Sequence, residues 1–481
     1  MPTAERKSAH LLVVPAPGTG HVNPLLKFSH KLANHGGVRV TVVNDDFIHN
    51  KVMAAASKQA KDEHHSLVRL VGIPDGRDPA KLGREKFGEG AESRSKVMAG
   101  HLKKLIEEIN GSEEGLPISC VVSDGSTAWA LEIGREMGIK CGVVSPVAVI
   151  NLSLTLHIPK LIQSGILSPH GLPLKNEAIV LPNQGELPPW QPNELPWHHP
   201  NPQVQKHLFK QYTLKQLAIL PQCDWILSNT FPELEPFACQ LNPDTLPIGP
   251  LLQTPDPTHF HGNFWGAEDP TCITWLDQQS PASVIYVAFG STANMTQCQF
   301  EELALGLERS GKPFLWVVRS DIVADIRGGD GGKPQFFPSG FLERVVVDHG
   351  GRGKIVEWCS QEDVLAHPST SCFLSHCGWN STIEGVSYGV PFLCWPYFGD
   401  QMYNKRYICE VWKVGLGLDH ADDESGSKVV TRFEIARKIQ RLMCDDGIKA
   451  NVVRLKEMAV KSLSPGGSSS TNLHTFIQQL C

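Results

Sequence analysis

Residues Trp358–Gln401 read WCSQEDVLAHPSTSCFLSHCGWNSTIEGVSYGVPFLCWPYFGDQ, and the interpretation of the chain turns on them. Two apolar runs inside this stretch, Cys372–Leu374 and Val390–Trp395, predict buried strands that end in loops. A helix is expected between them from about Asn380, where Asn-Ser-Thr suits a capped N-terminus. A helix start presents N–H groups without intrahelical partners and the positive end of a dipole, so an anion is favoured in front of it. The stretch therefore predicts a phosphate site between a strand and a helix.

The rest of the chain gives this site a setting. A chain of 481 residues is too long for one ordinary core, and two or three domains are expected. With 41% hydrophobic and 20% charged residues, 43 Gly and 35 Pro, the composition is that of a globular α/β protein, not of a coiled coil or a disordered chain. A net charge of −6 supplies no electrostatic footprint for nucleic acid or for an acidic membrane. The opening MPTAERKSAHLLVVPAPG holds no apolar run of signal-peptide length, and its apolar His10–Pro15 segment reads as a first strand. The longest uncharged window, Cys141–Pro159, contains Ser145, Pro146, Asn151, Ser153 and Thr155, which makes it a poor membrane span. A soluble, cytoplasmic, monomeric protein without integral membrane association is the expectation. Its 13 cysteines, an odd number, are then read as reduced thiols. Cys359, Cys372 and Cys377 lie near His376 and invite a zinc reading, but no C-x-x-C pair occurs and Cys372 sits within an apolar strand. Buried thiols are the better reading, and no metal is expected.

From the N-terminus, an apolar strand at Leu11–Val14 is followed by a helical pattern of Leu25, Phe28 and Leu32 that Gly36-Gly37 stops. Val38–Val43 is the next strand. This βαβ opening implies a parallel sheet, whose ligands bind at the carboxyl ends of strands. Gly18, Thr19, Gly20 and His21 occupy such an end. A third glycine of a G-x-G-x-x-G fingerprint would fall at Asn23, so dinucleotide binding is disfavoured. Residues 51–117 mix helix-like and irregular stretches. Ile118–Val122 reads as a strand ending at Asp124, and Cys141–Val144 as one ending at Ser145. The Pro-, Gly- and Trp-rich run Leu167–Pro202 reads as a long surface excursion, with Trp190, Trp197 and Phe209 as candidates to face a hydrophobic substrate beside ordinary packing. Trp225–Asn229 reads as the last strand of the first half, and Leu246–Pro270 as a linker.

The α/β rhythm then restarts with a strand at Ser283–Phe289, a turn at Gly290-Ser291-Thr292, a helix at Gln297–Arg309 and strands at Phe314–Arg319 and Lys354–Glu357. The glycine-rich GGDGGKP within 321–340 lacks the spacing of a P-loop. Helices are expected near 404–412, 431–444 and 448–462, a solvated acidic loop at Asp419–Glu424, and one amphipathic helix in the tail.

The 44-residue run Trp358–Gln401 resembles, in length and sequence, the signature box of plant family 1 UDP-glycosyltransferases. PAPGTGHVNPLLKFSHKLANHG near the N-terminus, SDGSTAW around Asp124, VAFGS at Ser291 and SSSTNL near the C-terminus fit the same family. The resemblance covers essentially the whole chain. It implies the GT-B fold, an α/β architecture of two facing Rossmann-like domains with parallel sheets and a cleft between them. Residues 1–250 would bind the acceptor, 251–270 would link, 271–462 would bind the UDP-sugar, and a C-terminal helix in 463–481 would pack back on the first domain. The implied reaction moves glucose from UDP-glucose, as co-substrate, to a hydroxyl of a small lipophilic plant metabolite with inversion. A non-catalytic nucleotide-sugar-binding protein, or use of another UDP-sugar, is the alternative.

In this resemblance His21 is the base that activates the acceptor hydroxyl, and Asp124 fixes its tautomer and offsets its charge. The chain has no Asp-x-Asp to hold a metal, so fixed donors must stabilise the departing UDP. His376, Gly378, Asn380 and Ser381 at the helix start and Ser291 on the facing turn are the candidates. Trp358 would stack on uracil, Cys359 would pair with it through backbone groups, and Glu384 with Gln361 would hold the ribose hydroxyls. Asp400, Gln401 and Trp379 would hold the sugar, Gln at the last position being usual in glucose-using members. Gly20, Ser145, Trp190 and Trp197 are the acceptor-side candidates.

Overall fold

In the computed structural model the first strand, β1 (His10–Val14), has all five residues buried. Alternate side chains leave a strand on opposite faces. Leu11 and Val13 accordingly enter one hydrophobic cluster, with Phe28, Val40 and Leu227, while Leu12 and Val14 enter a second, with Leu102, Leu131 and Val143. A strand buried on both faces belongs in the middle of a sheet covered by helices on each side. The described residues are 9–56, 67–77, 91–113, 115–253, 268–319, 322, 337–346, 352–422 and 428–480.

Around β1 run β2 (Arg39–Asp45), β3 (Val68–Ile73), β4 (Cys120–Ser123), β5 (Lys140–Ser145), β6 (Trp225–Ser228) and β7 (Thr245–Pro247), in the order β3-β2-β1-β4-β5-β6-β7. Every pairing is parallel, with Leu11 opposite Val40 on one side and Cys120 on the other. A second sheet comprises β8 (Val284–Ala288), β9 (Phe314–Val317), β10 (Gly353–Val356), β11 (Thr370–Ser375), β12 (Phe392–Cys394) and β13 (Gly415–Gly417). Its order is β10-β9-β8-β11-β12-β13, again all parallel. Ile285, Val287, Trp316, Cys372 and Leu374 share its core with Phe300, Ile435 and Ile439 from the covering helices.

The chain divides into two units. The first holds residues 1–186, 199–265 and 461–481, and the second 187–198 and 266–460. In the first unit the helix Ser468–Leu480 places Leu473, Phe476 and Leu480 in the core beside Phe28. Phe476 meets Trp225 edge-on at 5.3 Å, and the Trp225 indole N–H donates to Gln479 at 2.6 Å.

The structure revises several sequence readings. Residues 51–117 contain β3 and a helix, Ala91–Asn110. β6 is followed by one more strand, so Leu246 and Pro247 belong to β7 and not to a linker. Of the expected linker, 254–267 lie outside the described residues, as does GGDGGKP. The excursion at 167–202 is not confined to the surface. Leu167, Ile179, Leu181, Leu187, Trp190, Leu195 and Trp197 are all buried, and 187–198 group with the second unit. The acidic patch is solvated as expected where described, but Ala421–Asp422 form a short antiparallel strand with Lys428–Val429 instead of loop, and the exposed Asp419 pairs with Lys438 at 3.0 Å. Among the described residues no helix is long and apolar enough to cross a membrane.

Candidate active site

Strand order in the first sheet reverses between β1 and β4, and an open α/β sheet offers a ligand crevice at the carboxyl ends of such a pair. His21 and Asp124 follow those two strands. The helix after β1 starts at Thr19, so His21 sits in its first turn and not in a loop. Gly18, in extended conformation, is the cap, and its carbonyl accepts the N–H groups of His21 at 3.0 Å and Val22 at 2.8 Å. On the β4 side, the Thr127 hydroxyl donates to the Val14 carbonyl at 2.8 Å, which ties the two strand ends together.

Asp124 is fully buried. Its Oδ2 lies 3.1 Å from His21 Nδ1 and accepts the Ala16 N–H at 2.7 Å, while Oδ1 accepts the Ser126 N–H at 2.7 Å. Burial favours the protonated carboxyl, but the charge and hydrogen bond of His21 and the two N–H donors outweigh it and hold the pKa below its ordinary value. An ionised carboxylate only accepts, so His21 carries its proton on Nδ1 and keeps the lone pair on Nε2. The His21 side chain is 38% exposed, against none for Asp124. A half-open imidazole backed by a buried carboxylate is the arrangement of a general base.

The second sheet repeats the topology, with its reversal between β8 and β11. Gly290 and Ser291 follow β8, and His376 follows β11. The sequence placed a helix start near Asn380 with a side-chain cap, but the helix is Trp379–Tyr388 and its cap is Gly378, which has no side chain to offer. Glycine is required there because a Cβ would collide with His376 Nε2. Gly290, at φ 66°, flanks the same ring from the facing turn, where a Cβ would come within 2.7 Å of Nε2. The His376 ring is thus slotted between two glycines, directly before a helix N-terminus.

Arg319 holds the facing turn. Buried to 6% exposure, it donates to the carbonyls of Gly290 and Ala293, the latter at 2.8 Å. Burial, with the Arg319 charge adding to it, lowers the His376 pKa to about 4. The imidazole is therefore neutral at physiological pH, and its buried Nδ1 has no hydrogen-bond partner among the described residues. A neutral ring beside a helix N-terminus can donate to a phosphate oxygen without carrying charge itself.

Gln361 links two other expected residues, its amide donating to Ser381 Oγ at 2.9 Å and Glu384 Oε2 at 2.6 Å. Tyr286 donates to Gln361 Oε1 at 3.3 Å, and its hydroxyl lies 3.6 Å from Cys359 Sγ. Trp358 is half-buried, with its carbonyl accepting the Asp269 N–H at 3.1 Å. Gln401 is buried, and its Oε1 accepts the N–H groups of Tyr397 at 2.9 Å and Phe398 at 3.2 Å. That leaves its NH₂ as the donor end. Asn404 joins the two halves of this region, donating to the Cys377 carbonyl and to Asp400 Oδ2, each at 2.9 Å. Trp379 is buried, 6.3 Å from the Trp412 ring.

The acceptor-side expectations fare differently. Gly20 is exposed in the first turn of the helix that bears His21. Ser145 is fully buried, with its hydroxyl 3.5 Å from the Val147 carbonyl. Trp190 and Trp197 are buried in the second unit, and Trp190 stacks on Tyr403 with ring centroids 3.8 Å apart. The Trp190 ring is taken up by that stack, in line with the packing alternative. Phe209 is buried as well, against Gly171. Sequence reasoning missed Arg319, Asn404 and Tyr286, which support the site from other elements and carry no motif of their own. Among the described residues no cluster of His, Cys, Asp and Glu has the geometry of a metal site.

Comparison with known proteins adds an independent line. Residues 266–461 match the family model described as UDP-glucoronosyl and UDP-glucosyl transferase. The chain is 37% identical over 475 residues to UDP-glycosyltransferase 83A1 of Arabidopsis thaliana, covering 97% of this chain and 96% of that one. It is 32% identical to (R)-mandelonitrile beta-glucosyltransferase of Prunus dulcis, over 100% of this chain and 98% of that one. Among solved structures, Phytolacca americana UGT2, complexed with UDP-2fluoro-glucose and pterostilbene, superposes with a TM-score of 0.76 at 26% identity, covering 98% of this chain and 99% of that one. The likeness spans both units, so the chain belongs to the plant family 1 UDP-glycosyltransferases and has their GT-B fold.

Proposed function

We propose that the protein is an inverting, metal-independent glucosyltransferase that moves glucose from UDP-glucose to a hydroxyl of a small lipophilic plant metabolite, phenolic or terpenoid. The observation that carries this reading is the His21–Asp124 pair, 3.1 Å apart, with only the histidine reaching solvent. In the proposed step His21 Nε2 takes the acceptor's hydroxyl proton as the oxygen bonds to the anomeric carbon. The bond from that carbon to the diphosphate breaks, UDP leaves with the electron pair, and Asp124 stabilises the imidazolium. A single displacement inverts the anomeric centre. The β-product in the name of the Prunus dulcis relative supports this, because UDP-glucose is an α-glycoside.

His376, Asn380, Ser381 and Ser291, with the N-terminus of helix Trp379–Tyr388, are the proposed diphosphate contacts, and they replace a metal with fixed donors. Trp358 and the backbone of Cys359 would hold uracil, and the bonded pair Gln361–Glu384 the ribose. The amide NH₂ of Gln401, with Asp400, is proposed for the glucose hydroxyls. The pterostilbene and mandelonitrile of the two relatives are small organic molecules, which supports an acceptor of that class.

The test is UDP release by the purified protein with UDP-glucose and a panel of hydroxylated acceptors. His21→Ala is expected to lower turnover at least about a hundredfold while UDP affinity holds, since His21 is not among the proposed UDP contacts. Activity should persist in excess EDTA. Near-normal turnover of His21→Ala on an unactivated alcohol would remove the base assignment, and loss in EDTA restored by a divalent cation would remove the metal-free one.

A further inference from the structure

The segment Leu187–His198 is surrounded in sequence by first-unit residues but groups with the second unit, and several of its contacts fall on one short helix. That helix, Gln401–Arg406, begins at the residue proposed to hold the sugar and passes into a π-helical turn at Tyr407–Val411. Six residues make too short a helix to hold its shape unaided, so tertiary contacts must fix it. Four of them come from the segment. Trp190 stacks on Tyr403, both rings being fully buried. The Tyr403 hydroxyl donates to the Pro188 carbonyl at 2.6 Å. Arg406 donates to the Pro189 carbonyl and pairs with Glu194 at 3.2 Å. Glu194 is itself pinned by accepting the Gln191 N–H at 2.9 Å.

The grip is transmitted to the sugar end of the site by short links. Gln401 Oε1 holds the N–H groups of Tyr397 and Phe398, and Asn404, next to Tyr403, holds Asp400. The residues proposed for uracil and ribose are carried by other elements, Trp358 and Cys359 after β10 and Glu384 on helix Trp379–Tyr388. We propose that residues 187–198 form a strap that positions Asp400 and Gln401, so that Glu194 and Tyr403 are positioning residues for the sugar of the donor and not for its nucleotide. The proposal rests on the reading of Asp400 and Gln401 as glucose contacts.

Glu194→Gln keeps an acceptor for Gln191 but removes the charge facing Arg406, and Tyr403→Phe removes the bond to Pro188 while keeping the stack. Each variant is compared with the parent in its Kd for UDP-2-fluoroglucose, its Kd for UDP, and amide exchange across residues 397–404. The expected result is about tenfold weaker UDP-2-fluoroglucose binding for Glu194→Gln, the size of one lost charged hydrogen bond, and about fivefold for Tyr403→Phe, whose lost bond is neutral, with unchanged UDP binding and faster exchange in 397–404. Glu194→Asp, which keeps the charge, should recover most of the loss. A lowered melting temperature with parental exchange and parental affinities would overturn the proposal and reduce the segment to packing. Faster exchange with both affinities falling together would overturn it differently: the strap's grip would stand, and the sugar reading of Asp400 and Gln401 would fail.

Discussion

His376 shows how closely single atoms are specified in the proposed donor site. Its ring has glycine on both sides, and Arg319 fixes the turn bearing one of them. The Gly378 position tolerates no Cβ, because the atom would strike Nε2. Gly378→Ala must therefore displace the imidazole or the helix start, and such overpacking costs roughly 1–3 kcal/mol. If that cost falls on the ligand-competent geometry, UDP binding weakens about tenfold or more, which calorimetric titration would measure. Gly100, in the helix Ala91–Asn110, has open space where a Cβ would sit and no positive φ, so Gly100→Ala is the control for a glycine substitution that meets nothing.

Elements are held by contacts of a more ordinary kind, and their ends illustrate them. Thr431 caps the helix Arg432–Cys444, its hydroxyl accepting the Glu434 N–H at 3.3 Å. Thr431→Ala should cost about 1 kcal/mol, read as a lower urea midpoint with donor affinity unchanged. Elements with a strong local pattern were legible in the sequence to within a few residues. The run Leu11–Val14 is all apolar, and the helix after it shows its period in Leu25, Phe28 and Leu32. β3 was not legible, because only its end residues Val68 and Ile73 are buried and Arg69 interrupts the run. β13 reads Gly-Leu-Gly and has almost no side chain to recognise. Its reason lies elsewhere, since a Cβ on Gly415 would meet the Phe392 carbonyl and Ile408. The candidate site follows the same rule. His21, Asp124 and the Trp358–Gln401 residues stand in dense local motifs, whereas Arg319 reads only as the end of a strand until the fold sets it behind Gly290. The stacking partner of Trp190 was not legible for a similar reason, because Tyr403 is remote in sequence.

At the scale of the molecule, each unit buries a histidine that prefers to stay neutral. In the first unit His10 bridges the Leu116 carbonyl and Thr41 Oγ1, each at 2.8 Å. Burial, aided by Arg39 and Arg69, outweighs the Leu116 hydrogen bond and lowers its pKa. In the second unit burial and Arg319 take His376 to about 4. Protonation is thus harder in the folded than in the unfolded chain. The stability these groups contribute is complete above their unfolded pKa near 6.5 and is lost as pH falls toward the folded values. Urea midpoints should hold between about pH 7 and 8 and decline between about pH 6.5 and 4, with fluorescence from the chain's tryptophans as the readout. His10→Gln, which can keep one donor and one acceptor, should flatten part of that decline.

The first unit has one further property, which concerns the order in which its parts become available. Its core includes Leu473, Phe476 and Leu480, which the ribosome adds only after the whole of the second unit has been made. Until then Phe28 and Trp225 lack the ring that covers them. The first unit, although begun earlier, cannot cover that apolar face until these last residues are free to pack. Chaperone dependence should therefore be concentrated in the earlier-made half, whose apolar face waits longest for its cover.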